Sequence, residues 1–184
     1  MKKNNYFFLA LLFCQLVGAQ NTSVEKSIYS IETGILGVWV NNEHRLSNEI
    51  SLKSEFGMIA GFRGCSDCET QYALAPEFTL EPRWYYNIEK RETKGKIIKN
   101  NSANFATLSF RYYPDWFVIS NIPNTHIQNQ ITIIPKWGIK RTIFNSNFNY
   151  ELGIGIGKIY YIDSSQWDTT ADLTIRIGYT FKRK

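Results

Sequence analysis

Tyr72-Ala73-Leu74-Ala75-Pro76-Glu77-Phe78-Thr79-Leu80-Glu81-Pro82-Arg83-Trp84-Tyr85-Tyr86-Asn87 sorts its residues onto two faces with a period of two. Tyr72, Leu74, Pro76, Phe78, Leu80, Pro82, Trp84 and Tyr86 share one face. Ala73, Ala75, Glu77, Thr79, Glu81, Arg83, Tyr85 and Asn87 share the other. A helix repeats about every 3.6 residues and does not separate side chains in this way, so the stretch reads as a β-strand.

The same alternation recurs along the chain. In Ile50 to Arg63, Leu52, Phe56, Met58 and Phe62 oppose Lys53, Glu55, Gly57 and Arg63. In Asn104 to Tyr113, Leu108 and Phe110 oppose Ser109 and Arg111. In Asn129 to Arg141, Ile131, Ile133 and Trp137 oppose Thr132, Lys136 and Lys140. Phe148 to Tyr161 and Ala171 to Phe181 follow suit, with Glu151, Asp172 and Arg176 on their polar faces. Ile28 to Asn41 reads as one less regular strand, with Glu32 opposite Tyr29 and Ile31. That makes seven strands, each long enough for the ~9–11 residues a tilted membrane strand needs. Single-chain bacterial barrels have even strand numbers, so an eighth is expected, in Trp116 to Asn121 or before Ile28. The fold class expected is all-β: a single antiparallel up-and-down transmembrane β-barrel of eight strands. Pro76, Pro82 and Pro135 fall inside strands and read as bulges or rims.

The N-terminus supplies the compartment. Lys2 and Lys3 precede an apolar run from Tyr6 to Phe13, and Val17-Gly18-Ala19 ends in small residues before Gln20. This is the layout of a signal peptide over residues 1–19, cleaved between Ala19 and Gln20, with residues 20–184 as the barrel. Phe13 stands where lipidation at Cys14 would want a small side chain. The net charge is +5, two of it from Lys2 and Lys3, and the remaining bases are dispersed, which argues against nucleic acid as a partner. With 5 Trp, 11 Tyr and 12 Phe, the chain has ample residues for interfacial aromatic girdles.

Alternation by itself does not say which face is inside. The polar face carries Glu32, Glu55, Glu77, Glu81, Glu151 and Asp172 against Lys53, Arg83, Arg111, Lys136, Lys140 and Arg176. Matched charges suit a crowded lumen, where an unpaired ion is costly. Gly153, Gly155 and Gly157 share that face and make room in a narrow interior. The last strand closes with Gly178-Tyr179-Thr180-Phe181. Here the chain resembles the small outer-membrane barrels of Bacteroidota, and more loosely the OmpX and OmpA transmembrane domains. The resemblance implies outer-membrane localisation, and Tyr179 and Phe181 as an assembly signal for the barrel-assembly machinery. It departs from the pattern in having Lys182-Arg183-Lys184 after Phe181.

Few motifs suggest chemistry. Cys65-Ser66-Asp67-Cys68 has redox or zinc spacing, but in an oxidising compartment it reads first as a disulfide across one loop. His44 and His126 read as loop residues without a triad partner. Asn87 to Asn104 is a basic connection, read as a solvated hairpin or a contact for lipopolysaccharide. The expected function is structural or interaction-based, without a porin-size pore, cofactor, metal or catalytic centre. The expected state is a monomer among lipid and lipopolysaccharide. The rivals are a soluble periplasmic lipocalin-like barrel binding an apolar ligand and a small lipid-modifying outer-membrane enzyme.

Overall fold

The computed structural model describes residues 22–65 and 68–181. Residues 1–21, with the expected cleavage site at Ala19 and Gln20, and the basic end at 182–184 lie outside the described residues, as do the side chains of 65–69. Two-thirds of the chain is strand. The strands are β1 (Ser27–Gly34), β2 (Gly37–Arg45), β3 (Ile50–Cys65), β4 (Cys68–Trp84), β5 (Asn104–Tyr113), β6 (Ile119–Ser120), β7 (Gln130–Thr142), β8 (Phe148–Tyr161) and β9 (Gln166–Phe181).

All belong to one antiparallel sheet that closes in a ring. The ladder runs from β1 through β5, then to β7, β8 and β9, and β9 returns to β1. Closure leaves few edges, which is how a twisted sheet with two different faces avoids unpaired backbone. There are nine strands rather than eight. The ninth, β6, is two residues long and pairs with Ala73 and Leu74, beyond the point where β5 has left β4.

The first strand read from the sequence is in fact two. The chain turns at Ile35-Leu36, and Gly34 faces Gly37 across the hairpin. A two-residue turn switches the outward face from odd to even positions. Val38 and Val40 therefore join Tyr29 and Ile31 outside, while Trp39 points inward and is buried. Counted as one uninterrupted strand, Leu36, Val38 and Val40 would share the face of Ser30 and Glu32, and the turn removes that conflict. The segment Trp116 to Asn121 supplies only β6, and among the described residues no strand precedes Ser27.

The strand prolines are not bulges. Pro82 falls in a two-residue interruption of the β4–β5 ladder, with Phe78↔Tyr112 and Arg83↔Thr107 keeping one register on either side. Thr107 Oγ1 donates to the Pro82 carbonyl at 2.8 Å there. Pro135 keeps its partner Leu108 on β5 but falls in a similar gap of the β7–β8 ladder. Pro76 lies past the last β5 partner of β4. In each case the missing N–H falls where no neighbour asks for it. The one register shift is between Arg63 and Cys65, and Cys65 and Cys68 are cross-strand neighbours.

The two ends differ. The end where β1 begins and β9 finishes also carries the connections 46–49, 85–103 and 143–147. The 85–103 connection contains the helix α1 (Ile88–Thr93) and a 3-10 turn (Lys99–Asn101). It folds back with Val24 to make the apolar cluster of Val24, Tyr85, Ile88, Ala103 and Phe105, which closes that end. Asn87 to Asn104 is packed at its ends, where Ile88 and residues 100–103 are buried, and exposed over 89–97 apart from the half-buried Arg91, as expected of a solvated connection. The opposite end carries 35–36, 114–129 and 162–165.

Glycine inside the ring makes room for large inward rings. A Cβ at Gly57 would overlap the Trp39 ring. Gly57→Ala is expected to destabilise the barrel by about 1–3 kcal/mol through overpacking, read from the midpoint of denaturant unfolding. A midpoint unchanged from the native protein would show that the Trp39 ring moves aside freely.

Candidate functional site: the ion-filled interior and its cavity

Each strand of the ring except β6 sends charged residues inward. Glu32, Lys53, Glu55, Glu77, Glu81, Arg83, Arg111, Lys136, Lys140, Glu151, Asp172 and Arg176 are all buried. Most join one chain of ion pairs. Arg111 meets Asp172 at 2.6 Å, and Lys136 bridges Asp172 and Glu81. Arg83 sits between Glu81 at 2.5 Å and Glu151 at 2.7 Å. Lys53 holds Glu32 at 2.8 Å and Glu55 at 2.9 Å, and Arg176 meets the same two acids. Arg176 also stacks over Trp39, and Arg83 over Phe105. Buried ions gain little net stability from pairing, but each loses heavily when its partner is removed, so the network fixes the arrangement of the lumen.

Lys140 stands apart from that chain, with a partner the alternation missed. It donates to Glu43 at 2.8 Å. Glu43 is fully buried and also accepts from Ser51, Tyr85 and Asn101, each at 2.7 Å. This carboxylate ties β2, β3 and β7 to the 85–103 connection and so fastens the closed base. Burial and the neighbouring Glu43 push the Tyr85 hydroxyl well above its ordinary pKa, so it stays a donor. Tyr85→Phe is expected to cost about 1.5–3 kcal/mol, the range for a hydrogen bond to a charged group, measured by denaturant unfolding. Had the strand reading continued past Asn41, the spacing Trp39, Asn41, Glu43 would have placed Glu43 inside.

Glu77 is the interior acid with no ion-pair partner among the described residues. Its Oε1 accepts from Trp39 Nε1 and Thr79 Oγ1, both at 3.1 Å. It lines a cavity of about 510 Å³ at the end opposite the termini, with Arg111, Tyr113, Thr132, Ile134 and Ile159. Two buried atoms on this lining, Arg111 Nε and Thr132 Oγ1, have no hydrogen-bond partner among the described residues.

The outer face is the reverse. Leu80, Trp84, Ile154, Ile175 and Leu173 are exposed, Ile154 at 60% and Leu173 at 71%. Tyr179 and Phe181 also face outward and form an aromatic patch with Phe148. Trp137 donates to the Tyr86 hydroxyl, and Trp84 packs on Tyr86, at the same end. At the far end Tyr160 packs on Trp167, and Trp116 on Phe78.

His44 belongs to β2, not to a connection, and pairs with Ser27 near the base. His126 lies in the 114–129 loop at the other end, so the two are not brought together. Among the described residues no group of His, Cys, Asp or Glu is placed to hold a metal ion, and no helix is long and apolar enough to cross a membrane. Comparison with protein-family models, with curated proteins and with solved structures found no match.

Proposed function

We propose that this chain is an outer-membrane β-barrel of a Gram-negative bacterium that crosses the bilayer as an eight-strand up-and-down ring and acts through its exposed loops. The observation that carries this reading is the inverted polarity: charged groups are buried and large apolar side chains cover the outside. A protein dissolved in water has the opposite distribution, with Lys, Glu and Arg almost never buried in such numbers. In lipid the inversion is favourable, and a closed ring is one of the two backbone solutions available.

The dimensions support it. From Phe148 to Tyr160 the strand rises roughly 40 Å at ~3.3 Å per residue, and a tilt of ~40° reduces this to about 30 Å. That matches the ~30 Å hydrocarbon core, with aromatic pairs near both rims. Both termini would face the periplasm, and with them the packed base and its basic connection. Lipopolysaccharide would then meet the opposite end, at 114–129 and 162–165, and not the 87–104 segment. The ion network and the base block the axis, so the barrel is a structural or interaction protein and not a porin. Its ring closes through the β9–β1 ladder of a single chain, which fits a monomer.

A soluble barrel for apolar ligands would turn Leu80, Ile154 and Ile175 inward, and their exposure disfavours it. The test is fractionation followed by a gel of heated and unheated samples. A band in the outer-membrane fraction that shifts on boiling is the expected result. Recovery of the mature chain from the periplasm without detergent would overturn the proposal.

A further inference from the structure

The ring has a notch. The β9–β1 ladder stops at Gly34↔Arg176, and the β2–β3 ladder stops at Gly37↔Ile59. β9 nevertheless continues to Gln166 and β3 to Cys65. Above the Ile35-Leu36 turn, no described strand lies between them. The edge of β9 from residue 166 to 175 is therefore unpaired on that side. The rim of the notch is apolar and exposed, with Ile35 at 72%, Leu173 at 71% and Phe62 at 64%. The cavity reaches this gap, since Gly34, Ile35, Leu36 and residues 170–176 line it.

On the membrane reading, which this inference rests on, the notch opens toward hydrocarbon. Backbone groups facing lipid without a partner cost several kcal/mol each, so such a gap is tolerated where it lines a polar or filled cavity. The cavity has a polar floor and apolar walls, with a volume in the ordinary range for small-molecule sites. We propose that it binds a single-chain amphiphile with an uncharged hydroxylated head, of the monoacylglycerol class, taken up sideways from the bilayer. The head would lie on the floor and the chain would leave through the notch past Leu173 and Phe62.

The floor chooses the head. Arg111 Nε lacks an acceptor, and Thr132 Oγ1 lacks any partner. Glu77 has no base within ion-pair distance, and the described interior holds seven acids, Glu43 included, against six bases. A carboxylate head would add a second negative charge beside Glu77, while the one base on this lining near it, Arg111, is already paired with Asp172. An ammonium head would pair with Glu77 but offer Arg111 no acceptor. A diol both donates to Glu77 and accepts from Arg111 and Thr132.

The test uses the folded full-length mature chain in detergent, titrated with 1-monomyristoylglycerol, myristic acid and tetradecylamine. Native mass spectrometry counts bound molecules. Thr132→Val removes one head-group partner, and Thr170→Trp fills the cavity from β9. One monomyristoylglycerol per barrel is expected, with affinity about ten-fold weaker in Thr132→Val and lost in Thr170→Trp. Preference for the acid or the amine would overturn the head-group assignment. Equal retention by Thr170→Trp, or no retention by a barrel that still shows the heat-dependent gel shift, would overturn the site while leaving the membrane reading intact. A chain that stays soluble without detergent overturns the membrane reading, and uptake from the bilayer with it.

Discussion

Ile154→Arg is expected to destabilise the barrel by about 2–4 kcal/mol when unfolding is measured in phosphatidylcholine vesicles. Ile154 is 60% exposed on β8, flanked by Trp137 of β7 and Leu173 of β9, midway between the aromatic ends. In water, an arginine at so exposed a site changes stability by no more than ~0.5 kcal/mol. The size of the loss therefore reports what surrounds the outer face. Phe144→Arg is the control. Phe144 is 85% exposed in the 143–147 turn, beyond the apolar band, and its replacement is expected to fall within ~0.5 kcal/mol of the native protein. Equal and small effects at the two positions would place the outer face in water.

Arg83→Met should be the most damaging change inside the lumen, costing about 3–5 kcal/mol. Arg83 is fully buried and serves two acids, with Nη1 and Nη2 both on Glu151 and Nε and Nη2 on Glu81. Removing it strands Glu151 with Lys53, 3.9 Å away, as the remaining base. The double change Arg83→Met with Glu151→Gln is expected to recover more than half of the loss, because the orphaned charge goes with its partner. Equilibrium unfolding in detergent micelles measures both. If the double variant is as unstable as the sum of its parts, the cost comes from lost packing over Phe105 and not from the ion pairs.

Much of this fold was legible because a barrel enforces a simple rule on every strand. Alternate residues face different media, so Tyr72 to Asn87 declared its geometry without help from neighbours. The rule fails where the chain turns tightly. The Ile35-Leu36 hairpin has none of the Asn-Gly or Asp-Gly chemistry that marks two-residue turns, and it joined two strands into one apparent strand. That merger hid Trp39 and Glu43 on the inner face. The strand prolines misled for a related reason: alternation shows which face a residue takes but not whether its N–H has a neighbour. Asn87 to Asn104 read as a solvated connection because its charges are many, and 89–97 is indeed exposed, but its ends are packed. Only the fold brings Ile88 beside Val24, Tyr85 and Phe105, residues distant in sequence. The cavity was not legible at all, since the lengths of β1 and β2 relative to β3 and β9 create it.

The most direct measurement places a probe on the outer face. Ile154→Trp adds a tryptophan at mid-band, and the protein is refolded into vesicles of phosphatidylcholine brominated at defined acyl positions. The account predicts that the added emission is quenched most strongly by bromines deepest in the chain. Emission unaffected by any brominated lipid, with the protein left in the aqueous phase, would contradict it.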